Sequence, residues 1–80
     1  MNSTLSSSWL SGSYADIAGF EVCINTALSY VSIDSLQIPE ASYFFQGNEA
    51  EEVIEEMFQI WSKSDLTQEE AIAQWISFYL

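Results

Sequence analysis

The sequence predicts a small all-α domain ending in an antiparallel helical hairpin, and three observations predict it. Ala50, Val53, Ile54, Met57, Phe58 and Trp61 recur at helical spacing. Ala71, Ile72, Trp75, Ile76 and Tyr79 repeat that spacing near the C-terminus. Each run follows a polar residue set three positions before a Glu, Asn48 with Glu51 and Thr67 with Glu70, which is the pattern of a capping box. The fallback is an α+β fold with residues 20–24 and 28–38 as strands. Phe20, Val22 and Ile24 alternate, as do Val31 and Ile33.

Taken in order, residues 1–13 read as a flexible Ser-rich arm with Trp9-Leu10 as a hydrophobic anchor, and residues 14–80 as a single acidic domain. Ser13 and Asp16 resemble a capping box, and Ile17, Phe20, Ile24, Leu28 and Val31 follow at spacings of three and four. That favours a first helix over residues 14–30, against the resistance of Gly19 and the β-branched residues. Pro39 suits the first turn of a short helix over residues 39–45, with Gly47 as its stop. Tyr43, Phe44 and Phe45 cannot all face inward on so short an element. The next helix spans residues 49–62. Lys63-Ser64-Asp65-Leu66 joins it to a last helix that opens at Thr67, a length typical of antiparallel neighbours.

Charge is the most informative property of the chain. Eighty residues carry twelve Asp and Glu against a single Lys or Arg, with no His, giving a formal net charge of −11. Nearly half the residues are hydrophobic, 49%, so this is not the composition of a disordered acidic tail. Such a surface repels nucleic acid and anionic membranes and attracts partners built to hold polyanions. Neither a signal-peptide pattern nor an apolar run of bilayer length is present, and Cys23 has no partner for a disulfide. A cytoplasmic protein is the expectation.

The candidate partner-binding residues are Glu49, Glu51, Glu52, Glu55 and Glu56, extended by Asp65, Glu69 and Glu70, with Asp34 and Glu40 as a second edge. On a helical wheel the five Glu of residues 49–56 fall opposite the apolar face. Glu at i, i+3 and i+4 stand about 4.5–6 Å apart along the axis. DNA phosphates step ~3.4 Å per strand, so a basic groove meets a comparable row of charge. The row has a cost, because Glu51–Glu55 and Glu52–Glu56 are like-charge i, i+4 pairs without a Lys or Arg between them. A solvated helix face is the plainer account of it.

Catalysis has little to work with: no His, a lone thiol expected as a small core residue, and carboxylates expected in solvent. No EF-hand pattern is present, and neither metal nor cofactor is expected.

In charge and size the chain resembles the small acidic inhibitors that bacteriophages use against host defence, the anti-CRISPR and antirestriction proteins that mimic nucleic acid. The residues carrying the resemblance are Glu49 to Glu56, Asp65, Glu69 and Glu70 on an aromatic-rich chain. It implies a phage-encoded, non-catalytic inhibitor in the host cytoplasm. This inhibitor would occlude a Lys/Arg-lined nucleic-acid channel, for example in a CRISPR effector complex. The alternative is an acidic helical adaptor that binds a protein partner, or a second copy of itself, through apolar residues. Tyr43, Phe44, Phe78 and Leu80 are the candidates for that interface. Phe78 and Leu80 point away from the Trp75 face, so either the preceding chain wraps over them or they form an interface.

Overall fold

The computed structural model describes residues 11–38 and 40–80. Among these residues four strands come first: β1 Gly12–Ile17, β2 Phe20–Asn25, β3 Tyr30–Ser35 and β4 Ser42–Gln46. They form one antiparallel meander in the order β1-β2-β3-β4. Two helices follow, α1 Gly47–Ser62 and α2 Gln68–Tyr79. The fold is therefore α+β, which overturns the all-α expectation. The expected helix over residues 14–30 is the β1–β2 hairpin and its exit turn, and the expected short helix over residues 39–45 gives way to β4. The expected arm and its Trp9-Leu10 anchor fall almost wholly in residues 1–10, outside the described residues, as does Pro39.

The turns account for the error. Ile17 pairs with Phe20, and the two residues between them, Ala18 and Gly19, both have positive φ, 53° and 87°. Such a two-residue loop matches the right-handed twist of a hairpin. Asp16, at φ 54°, sits where the β1–β2 register slips by one residue, which is a β-bulge. Between β2 and β3 the chain reverses over Thr26 to Ser29. There the Leu28 amide donates to Asn25 Oδ1 at 3.0 Å, and Ser29 has φ 51°. No Gly or Pro marks that reversal.

Both helices lie on one face of the sheet. α1 packs on β3 and β4, and α2 packs on α1 and β1. The sheet contributes Ile17, Val22, Ile24, Val31 and Ile33 to the core. The helices contribute Ala50, Val53, Ile54, Met57, Ala71, Ile72, Trp75 and Ile76. Tyr14, Phe20, Tyr43 and Phe45 close the margin from the strands. Phe45 meets Trp75 edge-on, with ring centroids 6.1 Å apart. Ile17, Ile24 and Val31, expected on one helical face, are buried together, but each comes from a different strand. Leu28, expected among them, sits in a turn at 74% exposure.

The two helix starts differ from each other. At α2 the Thr67 box closes: the Glu70 amide donates to Thr67 Oγ1 at 3.1 Å and the Thr67 amide to Glu70 Oε1 at 2.9 Å. At α1 the expected Asn48–Glu51 box does not form. The chain passes directly from β4 into the helix, Gln46 is the N-cap without a side-chain bond, and Gly47 takes φ 62° at the junction. Gly47 thus starts a helix where it was expected to stop one. Tyr79, expected in the buried stripe of α2, is 58% exposed and stacks on Trp75 instead.

Candidate anionic interface

Among the described residues no polar or charged residue is buried, and all twelve carboxylates fall within those residues. The strands and their turns carry Asp16, Glu21, Asp34 and Glu40, and the helical half carries the other eight. Lys63, the single cation of the chain, is exposed where α1 ends.

The row on α1 divides by what each side chain touches. Glu51 accepts from the Ser29 hydroxyl at 3.0 Å, tying the helix start to the β2–β3 turn. Glu56 is half-buried and accepts from the Trp75 indole Nε1 at 2.8 Å, satisfying a buried ring's only donor. Glu55 accepts from Gln59 Nε2 one turn on, at 3.0 Å. Glu49 and Glu52 are exposed. On the helical wheel Glu52 and Glu55 lie farthest from the buried stripe Ala50, Val53, Ile54 and Met57. Two members of the expected array therefore hold the fold together, and Glu52 and Glu55 form its outermost pair.

On α2, Glu70 is engaged in the capping box and Glu69 is exposed. Glu69 faces β1: burial first, then the negative charge of Glu69, raises the Tyr14 phenol above its ordinary value. Asp65 is exposed in the loop between the helices.

Asp34 and Glu40 belong to a different surface. Asp34 lies on the sheet face turned away from the helices, where it accepts from the Ser42 hydroxyl of β4. Its cross-strand partner on β2 is Glu21, so two carboxylates stand directly opposite on neighbouring strands. Glu21 was not among the residues expected from sequence. Period-two alternation through Glu21, Cys23 and Asn25 is the signal that places it on that face. Glu40 is exposed in the β3–β4 turn. The structure thus sets the acidic residues on two sides of the sheet and does not merge them into one row.

That outer sheet face also holds Ser13, Cys23, Ser32 and Phe44 in one cross-strand row. Cys23 is half-buried there, with Ser13 Oγ 3.8 Å from its sulfur, and is not the core residue expected. A shallow groove of about 630 Å³ crosses this end of the face, lined in part by Ser13, Cys23, Asn25, Leu28 and Tyr30. Of the expected apolar interface, Phe44 is 53%, Phe78 70% and Leu80 42% exposed. Tyr43 packs at the core margin beside Phe20. Among the described residues no three His, Cys, Asp or Glu side chains gather as a metal-ligand set. No helix there is long and apolar enough to cross a membrane. Comparison of the chain with protein-family models, with curated proteins and with solved structures gave no match.

Proposed function

We propose that this chain is a binding module that presents carboxylates to a basic, nucleic-acid-binding partner and occupies the place of phosphates there. The observation that carries the reading is the disposition of charge: twelve carboxylates at the surface of one small domain, with Lys63 as the sole counter-charge. A chain selected for stability alone relieves Glu52–Glu56 and Glu21–Asp34 with an intervening cation. This one leaves the repulsion in place.

In this reading Glu49, Glu52, Glu55 and Glu69 are the contact residues, since Glu51, Glu56 and Glu70 are committed to Ser29, Trp75 and the Thr67 cap. The mechanism is competitive occlusion. The negative field speeds encounter with a Lys/Arg-lined channel, and carboxylates about 4.5 Å apart along α1 then take over contacts made by the nucleic-acid backbone. The resemblance to anti-CRISPR and antirestriction inhibitors points to a host-defence complex as the class of target. The rival reading, an adaptor working through Phe44, Phe78 and Leu80, draws on the exposure of those side chains.

Affinity capture from bacterial lysate with a salt gradient, followed by competition with duplex DNA, tests the two together. Captured proteins should elute with rising salt and be released by DNA. Glu49, Glu52 and Glu55 changed together to Gln should abolish capture, at about tenfold in affinity per paired charge. Capture that survives high salt and the triple change but fails with Phe78→Ser/Leu80→Ser overturns the mimic in favour of the adaptor.

A further inference from the structure

The two edges of the sheet are finished differently. β1 is broken by the bulge at Asp16, a usual way of spoiling an edge for pairing. β4 pairs with β3 in unbroken register from Ser42 to Gln46, and within Ser-Tyr-Phe-Phe-Gln there is no Lys, Pro or bulge. The ladder tells which of its backbone groups are spent. The Ser35 amide donates to Ala41 O at 2.9 Å and the Gly47 amide to Ser29 O at 3.0 Å. Odd-numbered residues of β4 therefore bond to β3, and the N–H and C=O of Ser42 and Phe44 point away from the sheet. No strand pairs with that edge among the described residues.

Carboxylates flank it along the chain and across the neighbouring strands. Glu40 stands just before β4, Glu49 just after it, and Asp34 and Glu21 continue the Ser42 row on the outer face. A second copy pairing here brings two chains of net charge −11 together, like charge against like. A basic strand meets the opposite situation. Its side chain beside Ser42 reaches toward Asp34, and the one beside Phe44 lies over a ring that is 53% exposed and packed edge-on against Tyr30 at 5.1 Å.

We infer that the open edge of β4 is a strand-addition site for an extended segment of a basic partner, with Lys or Arg at alternate positions. This rests on the anionic-interface reading and specifies how the partner docks. It adds a backbone contact at the sheet edge to the carboxylate contacts along α1.

The test uses the full chain, ¹⁵N-labelled, and two short peptides of equal composition, one alternating Arg and Val, the other with Arg and Val in blocks. The alternating peptide should bind about tenfold more tightly and slow hydrogen exchange of the Ser42 and Phe44 amides by on the order of tenfold. Phe44→Pro removes one outward N–H and no ladder donor, so it should weaken that binding at least about tenfold with the circular dichroism spectrum unchanged. The exchange measurement on the unaltered chain stands whether or not that variant folds.

Equal binding of both peptides, with shifts at Glu52 and Glu55 and unchanged exchange at Ser42 and Phe44, overturns the edge site while leaving the anionic interface intact. An alternating Thr-Val peptide that binds as well as Arg-Val overturns the basic occupant. Dimerisation that protects the β4 amides makes a second copy the occupant and overturns the inference as well.

Discussion

The sheet, residues 12–46, and the helical half, residues 47–79, share one core but are held in shape by different means. α2 carries its own local instructions: a closed capping box at Thr67 and a buried stripe at helical spacing. The sheet carries local strain instead. Asp16, Ala18 and Ser29 all adopt positive φ without being glycine, a conformation that costs an L-residue roughly 1–2 kcal/mol. Its strands are only five or six residues long, and its apolar face is buried against the helices. The sheet is therefore the dependent partner. Val22, Val31 and Ile33 are fully buried in a core that they share with Met57 and Ile72 of the helices.

The largest expected effect follows from that dependence. Ile33→Ala empties the middle of the shared core on an interior strand and should cost about 2–5 kcal/mol. Because the core is common, the helices should be lost with the sheet in one transition. Far-UV circular dichroism, dominated by the helices, and Trp fluorescence should give coincident denaturation curves in the variant and in the unaltered chain. Curves that separate would show the two halves standing independently.

The same division explains what was legible in the sequence. The helical half was readable: Ala50, Val53, Ile54 and Met57, then Ala71, Ile72, Trp75 and Ile76, are the buried residues of α1 and α2. The sheet half was not, for a specific reason. Its outward positions hold Cys23, Tyr30 and Phe44, so alternation of apolar and polar residues is blurred. Thr26 to Ser29 reverses the chain with neither Gly nor Pro to mark it. Ile17, Phe20, Ile24, Leu28 and Val31 then satisfied a helical period by coincidence, across two turns. The acidic surface was legible from composition. Which carboxylates are tied into the fold was not, because Ser29–Glu51 and Trp75–Glu56 are 22 and 19 residues apart in the chain.

A middle-sized effect separates the two helix starts. Thr67→Ala removes a cap that is made and should cost about 1 kcal/mol. Asn48→Ala removes a residue with the same sequence signature that makes no cap, and should fall within about 0.5 kcal/mol of no change. Chemical denaturation of both variants under one set of conditions gives the comparison. Equal losses would mean that Asn48 caps α1 in solution.

Ala18→Asn probes the strain in the sheet half from the other direction. Asn tolerates positive φ better than Ala, and Asn-Gly is a preferred pair for a two-residue hairpin turn. The variant should gain about 0.5–1 kcal/mol, read as a higher denaturation midpoint with an unchanged slope. A loss instead would mean that Ala18 makes packing contacts worth more than its backbone strain.

The smallest effect concerns the seam where the halves meet. Tyr14 on β1 is partly buried and faces Glu69 on α2, and both influences raise its phenol above the ordinary value. A group whose folded value is raised favours the protonated form in the folded state. Its contribution is complete below the unfolded Tyr value of about 10 and is lost as pH climbs from there through the higher folded value. Melting temperature should therefore fall as pH rises above about 10, and Tyr14→Phe should make that decline shallower whatever it does to stability at neutral pH. Glu69→Gln removes only the second, electrostatic cause and should change the slope less. If Tyr14→Phe leaves the alkaline decline unaltered, β1 and α2 do not meet at that ring in solution, and the seam between the sheet and the helices lies elsewhere.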